Sequence, residues 1–337
     1  MDSLHSFGSL LDMSLSVVIP AYNEADNIAA TIGEISGHLT RLGATFEILV
    51  MDDHSSDGTF DAVRALNDPQ VRAIRLSRNS GSHIALRAGL RQARGDAVLC
   101  ISADGQDNPE AIEAMIARWE GGADVVWALR TDRNDEALLN KTMARAFYLL
   151  LTAAGAAPTD GVDLSKADFF LMDRRVADAV NACPERNSSL FGLLAWAGFR
   201  QEAISYHRRL RASGHSKWSF QAKVRLAKDW VFAFSGLPLQ MMTRVGVGMA
   251  TLGLLYAAVV IAVTLITGEM VPGFPSLMTT VLVLGGVQMI MLGLLGEYVW
   301  RTLDESRKRP SYFVEADSAH PPAHSRARGA PFPSQIS

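Results

Sequence analysis

Cysteine is nearly absent. Cys100 and Cys183 are the two in 337 residues, far apart in sequence and without a Cys-x-x-Cys pair. No disulfide framework can be built from them, and a reducing compartment fits the soluble part. Excess positive charge is lacking too: 32 Lys and Arg against 35 Asp and Glu leave a net −3. Without a basic surface, nucleic acid is not an expected partner. No Gly-x-Gly-x-x-Gly follows the first apolar run, which argues against a dinucleotide-dependent oxidoreductase. Segment 1–14 has no basic region ahead of a long apolar core, so no cleavable signal peptide is expected. No period of roughly 20 to 50 residues recurs, which excludes a repeat architecture.

Charge vanishes from two long stretches, Val245 to Ile266 and Pro275 to Leu295. Each matches the roughly 20 residues that cross a bilayer core as a helix, and core helices seldom run this long without a polar face. The loop between them, Thr267 to Phe274, carries only Glu269. Lys223, Arg225, Lys228 and Arg244 lie before the pair, and Arg301, Arg307, Lys308 and Arg309 after it. This basic excess predicts two membrane spans with both flanks cytoplasmic. From Trp218 to Leu237 basic residues mix with Trp218, Phe220, Trp230, Phe232 and Phe234. The mixture suits an amphipathic helix in the membrane interface, or a plain surface helix.

Ahead of these spans, apolar runs alternate with helical patterns. Strands are predicted at Leu15–Ile19, Phe46–Asp52, Val71–Leu76, Ala97–Ser102, Asp124–Ala128 and Phe169–Met172. Helices are predicted at Glu24–Leu42, Thr59–Leu66, Ile84–Arg94 and Pro109–Glu120. Such alternation implies an α/β fold of Rossmann type, with a mostly parallel sheet covered on both faces. The expected organisation is an N-terminal extension over 1–14, a cytoplasmic domain over 15–217 and an interfacial segment over 218–240. The two spans occupy 241–300, and a cytoplasmic tail over 301–337 is expected to be disordered after about 314.

Three strands end in polar groups: Asn23 and Glu24, then Asp52 and Asp53, then Asp104 and Asp107. Ligands of open α/β sheets bind at the carboxyl ends of strands. Asp52 and Asp53 suit hydrogen bonds from a uracil or ribose, and the amides near Gly58 suit an anion. Turn formation and capping explain each group singly: Asn23 as a cap, Asp57 or Ser56 capping the second helix, Asp107 capping the helix at Pro109. Ser102-Ala103-Asp104-Gly105-Gln106-Asp107 reads as a site for Mg²⁺ or Mn²⁺ and a diphosphate. Such ions take only one or two protein carboxylates beside phosphate oxygens.

These segments carry a resemblance. Ser16-Val17-Val18-Ile19-Pro20-Ala21-Tyr22-Asn23-Glu24, Asp52-Asp53-His54-Ser55-Ser56-Asp57-Gly58-Thr59 and Asp104-Gly105-Gln106-Asp107 resemble the motifs of glycosyltransferase family 2. Arg78-Asn79-Ser80-Gly81 resembles that family's third-strand loop. Asp168-Phe169, then Arg211 with Gly214, Ser216 and Lys217, and Arg309-Pro310-Ser311-Tyr312 resemble its polyprenyl-phosphate branch, with the dolichyl-phosphate mannose synthases and bactoprenyl-phosphate glucosyltransferases. The resemblance implies a nucleotide-sugar transferase (GT-A-like) fold, an inverting mechanism and a metal held by Asp104. It implies donor contacts at Pro20, Tyr22, Glu24, Asp52, Asp53, Asp57, Gly81, Ser102, Ala103 and Arg130. Asp104, Asp168, Arg211 and Lys217 are the implied catalytic group. Ser102 stands where the branch has the first Asp of Asp-x-Asp, Phe170 and Phe191 where it has arginines, and His54 where it has a small residue.

The expected reaction moves a hexose or N-acetylhexosamine from a UDP-sugar to undecaprenyl phosphate at the inner membrane. A phosphate monoester is largely dianionic near pH 7, its second pKa being about 6. It therefore needs little help from a base, and Asp168 is expected to orient acceptor or metal rather than remove a proton. Open alternatives are a non-catalytic lipid-phosphate binding protein and a transferase using another acceptor. Homo-oligomerisation stays open. A processive polysaccharide synthase is disfavoured because no Gln-x-x-Arg-Trp motif is present.

Overall fold

The computed structural model describes residues 13–131, 167–183, 185, 189–207, 209, 237–268 and 273–319. Five strands and four helices alternate first: β1 (Ser14–Ala21), α1 (Ile28–Arg41), β2 (Thr45–Asp52), α2 (Thr59–Ala65), β3 (Val71–Leu76), α3 (Ser82–Gln92), β4 (Ala97–Cys100), α4 (Glu110–Glu120) and β5 (Val125–Arg130). Then come β6 (Ala167–Asp173), α5 (Arg174–Ala182), α6 (Leu190–Trp196), β7 (Gln201–Tyr206), the long helices α7 (Leu237–Thr267) and α8 (Phe274–Ser306), and β8 (Val314–Asp317).

The strands form one sheet in the order β7-β5-β6-β4-β1-β2-β3-β8. β4, β1, β2 and β3 pair in parallel, as do β5 and β7, whereas β6 and β8 run antiparallel to their neighbours. Because β6 runs against β4 and β5, its first residues lie at the edge where those strands end. That reversal brings Asp168 into line with the β4 loop.

The central strands are apolar on both faces, as expected where helices cover both sides. Val17, Ile19, Ile48 and Val50 pack with α1, α2 and α4. Val18, Leu49 and Met51 pack on the other face with α3, α5 and α6. In α1, Ile28, Ile32, Ile35 and Leu39 recur at helical spacing and are buried. α3 approaches closely through Gly89, where an added Cβ would lie 2.2 Å from Val18 Cγ1. The first helix begins at Ile28 rather than Glu24, because the amides of Asn23, Glu24 and Ala25 bond side chains of the β2–α2 loop instead.

Two edge strands are absent from the sequence reading. β7 pairs in parallel with β5. β8 corrects the tail, expected to be disordered from about 314: Val314–Asp317 pairs antiparallel with β3. Its side chains explain the docking. Arg72 Nε donates to Asp317 Oδ1 at 2.9 Å, and Arg75 Nε meets Glu315 Oε2 at 3.1 Å. The interfacial segment predicted over 218–240 falls outside the described residues as far as 236.

Both predicted spans lie inside single helices, Val245–Ile266 in α7 and Pro275–Leu295 in α8. By length and composition, Met241–Thr267 and Thr279–Ser306 can each cross a bilayer. At 1.5 Å per residue, α7 is about 46 Å long, beyond the roughly 30 Å hydrocarbon core. Most of its described side chains are exposed: Leu265 and Ile266 are 81% and 85% exposed.

Asp317→Ala strips Arg72 of its bidentate partner where both side chains are mostly buried. It should cost about 1–3 kcal/mol, typical of a lost hydrogen bond to a charged group, and lower the thermal unfolding midpoint of the full chain in detergent.

Candidate active site

The candidate residues gather where the parallel strands end. The β1–α1 and β2–α2 loops are laced together there. Asn23, at φ +54°, donates its amide to Ser55 Oγ at 2.9 Å and accepts the Ser56 amide at 2.8 Å. Asp57 accepts the amides of Ala25 at 3.1 Å and Thr59 at 3.0 Å. Gly58 rather than Asp57 or Ser56 is the N-cap of α2. Pro20, at the end of β1, sits in register with Met51, and Tyr22 is exposed just beyond. Glu24 Oε2 accepts from Asn27 at 2.8 Å.

Asp52 and Asp53 are buried, at 0% and 3% exposure. Asp52 Oδ1 accepts the Ser55 amide at 3.0 Å, and Oδ2 lies 3.6 Å from Arg75 Nη1. Asp53 accepts the amides of Ser80 and Gly81, both at 2.7 Å, with Gly81 at φ +92°. Burial raises the Asp53 pKa, while the two amides oppose the rise. Both carboxylates thus shape loops of the crevice, Asp52 its own turn and Asp53 the third-strand loop. His54, at φ +60°, turns its Nδ1 to Leu76 O at 3.1 Å and Glu315 Oε2 at 3.2 Å.

The β4 loop and the start of β6 form a second group. Ser102 Oγ lies between Asp104 Oδ1, at 2.9 Å, and Asp107 Oδ2. The Ser102 amide also donates to Asp107, and the Gln106 amide to Asp104 at 3.2 Å. Ala103 O accepts from Thr31 Oγ1 at 3.1 Å. Tyr206 Oη donates toward two carboxylates, Asp107 Oδ1 at 3.1 Å and Asp168 Oδ2 at 2.7 Å. Arg130 Nη1 meets Asp168 Oδ1 at 3.3 Å. Burial is the main cause that raises the pKa values of Asp107 and Tyr206; the Asp168 charge adds to both.

The structure brings Asp104, Asp168, Ser102, Ala103 and Arg130 together at one edge of the sheet, while Arg211 and Lys217 lie outside the described residues. Asp107 is not a helix cap: it turns inward, and Asn108 Oδ1 takes the Glu110 amide instead. Tyr206 was missed. Its signal was weak, a tyrosine at the end of a short strand, in register with Arg130. Phe170 and Phe191, at positions where arginines were expected, belong to the core. Phe170 is 1% exposed and packs 5.1 Å from Trp127 and 5.2 Å from Phe191. Nearby His83 stays neutral at pH 7, burial pushing its pKa down to about 4.

No group of three His, Cys, Asp or Glu arranged to hold a metal occurs among the described residues. Asp104 offers one hard carboxylate at the crevice. That donor suits an ion that draws its remaining ligands from phosphate and water.

Asp107→Asn should raise the thermal midpoint at pH 7 by a few degrees. A folded pKa raised by burial makes ionised Asp107 a cost at neutral pH. That cost fades as pH falls toward the ordinary carboxylate range near 4, so the gain should shrink there. Melting curves at pH 7 and pH 4.5 check the sign.

Residues 16–180 match the family model described as glycosyl transferase family 2, and residues 237–301 match the GtrB C-terminal hairpin. The chain is similar to the uncharacterized glycosyltransferase sll0501 of Synechocystis, 39% identical over 90% of this chain and 95% of that one. It is 37% identical to the bactoprenol glucosyl transferase of Shigella phage SfV, over 90% of this chain and 98% of the relative. The prophage bactoprenol glucosyl transferase homolog of Escherichia coli is 36% identical over 90% and 99%. Among solved structures, mannosyl-3-phosphoglycerate synthase from Rubrobacter xylanophilus overlays with a TM-score of 0.47 at 20% identity, covering 72% of this chain and 78% of that one. At such identities, sustained over nine-tenths of its length, the protein belongs to glycosyl transferase family 2 and is a glycosyltransferase.

Proposed function

We propose that the protein is a membrane-anchored, inverting transferase that moves a hexose from a UDP-sugar to undecaprenyl phosphate. One observation carries the reading: the carboxylate-lined crevice and two helices long enough to cross a bilayer share a single chain. The similar proteins named bactoprenol glucosyl transferase support the same acceptor class.

The crevice supplies the parts. The loops laced by Asn23, Asp57 and Asp53 leave the α2 N-terminus beside Asp52, where a uracil and ribose would lie. Asp104 would hold Mg²⁺ or Mn²⁺, which when bound offsets negative charge on the departing diphosphate. Arg211 and Lys217 are proposed to add positive charge on a phosphate, arginine as a bidentate donor and lysine as a point charge. Asp168, gripped by Arg130 and Tyr206, faces the incoming acceptor. The attacking phosphate oxygen is already ionised at pH 7, so Asp168 has an orienting task rather than a proton to remove. The apolar helices keep a polyprenyl chain in hydrocarbon while its phosphate reaches the sheet edge, at the cytoplasmic face.

The test incubates purified protein with undecaprenyl phosphate, Mg²⁺ or Mn²⁺ and a panel of radiolabelled nucleotide sugars. Label entering the organic phase from one donor is the expected result, abolished by EDTA and by Asp104→Ala. No transfer from any donor, with UDP still bound, would leave a lipid-phosphate binding protein.

Asp168→Asn should lower kcat by about ten- to a hundredfold, below the ceiling for a lost general base. The loss should be similar from pH 6 to 8. A loss that grew steeply below pH 6 and vanished above pH 7 would contradict the orienting role.

A further inference from the structure

Between the metal-side carboxylate and the acceptor-side carboxylate runs an alternating series of acids and hydroxyls. It reads Asp104, Ser102, Asp107, Tyr206, Asp168, and ends on Arg130. Asp107 is 4% exposed and Tyr206 5% exposed, so both middle members are shielded from water. Three carboxylates this close repel one another, and shielding strengthens the repulsion. Among the described residues, the hydroxyls of Ser102 and Tyr206 stand between them.

Tyr206 is fixed by the sheet rather than by the carboxylates it meets. It is in register with Arg130 on the neighbouring strand, and its carbonyl accepts the Thr131 amide at 3.0 Å. Its ring meets Phe169 edge-on, 5.0 Å between centroids and 74° between planes. With backbone and ring both set, the hydroxyl has little freedom. It reaches across the ends of β5 and β6 to touch the β4 loop at Asp107 and β6 at Asp168. Asp168 is therefore gripped on both oxygens, Oδ2 by Tyr206 and Oδ1 by Arg130, from two residues paired on adjacent strands.

We infer that Tyr206 is a positioning residue for the transfer reaction, its hydroxyl fixing Asp168 against Asp107 so that the acceptor-side and metal-side groups hold one spacing. This role rests on the reading of Asp168 as an acceptor-facing residue. Tyr206 itself need touch neither substrate.

The experiment uses the full-length protein in detergent and Tyr206→Phe, which keeps the ring contact with Phe169 and removes only the hydroxyl. Expected is a fall in kcat of about ten- to a hundredfold, the span of a hydrogen bond to a charged group. The KM for the nucleotide sugar should stay within about twofold, because Asp52 and Asp53 are untouched. The double variant Asp168→Asn with Tyr206→Phe should be no slower than Asp168→Asn alone, since Tyr206 acts through Asp168. Full activity in Tyr206→Phe, or losses that multiply in the double variant, would overturn the inference.

A second readout needs no turnover. With 3-fluorotyrosine placed at position 206, the ¹⁹F resonance should shift in both Asp168→Asn and Asp107→Asn. An unmoved resonance would overturn the shared hydroxyl. Absence of transfer in the unmodified protein would instead defeat the transferase reading, with the fluorine result still deciding the link.

Discussion

A carboxylate shut away from water must be met by donors, and at the working edge of this sheet that demand shapes the loops. Asp53 is answered by two backbone amides of the β3–α3 loop, Asp52 by Ser55 and the guanidinium of Arg75. Asp57, itself exposed, ties the β1–α1 loop to the start of α2 through the amides of Ala25 and Thr59. Asp107 is answered by Ser102 and Tyr206. Each buried acid costs the fold desolvation, which its donors offset in part and only in one loop geometry. The crevice is thereby held in shape before any ligand arrives.

Much of this was legible in the chain because the periodicities are strong. Val17 to Ile19 and Ile48 to Val50 read as buried strands, and Ile28, Ile32, Ile35 and Leu39 as a helix face. Asp52, Asp53 and Asp104 stand at predicted strand ends, hence at one edge, whereas Asp168 is singled out by motif resemblance alone. The uncharged stretches from Val245 and Pro275 fell inside single helices. What escaped notice depends on contacts distant in sequence. β7 and β8 are short edge strands, Gln-Glu-Ala-Ile-Ser-Tyr and Val-Glu-Ala-Asp, whose polar residues suit an edge and mask the strand signal. Local pattern cannot disclose that Arg72 awaits Asp317 across 245 positions. The same blindness made Asp107 look like a cap, when its partner Tyr206 lies 99 residues on.

Ser102 gains a physical account. A carboxylate at that position would join Asp104, Asp107 and Asp168 in one small volume. A hydroxyl there separates two of them and can donate a hydrogen bond. Phe170 and Phe191 likewise join Trp127 and His83 in a packed aromatic cluster, on the opposite face of the sheet from Phe169 and Tyr206.

The return of the chain to the sheet at β8 has a mechanical side. α8 ends at Ser306 and β8 begins at Val314, so residues 307–313 form the whole leash between them. Fully stretched, such a leash spans no more than about 28 Å. The helical hairpin is, in topological terms, a long insertion between the seventh and eighth strands of one sheet. On the α8 side, therefore, the hairpin is tied to the sheet by seven residues and an edge strand. A pull on α8 would be felt first at β3, through Arg72 and Arg75, and from Arg75 it passes to the loop that bears Asp52.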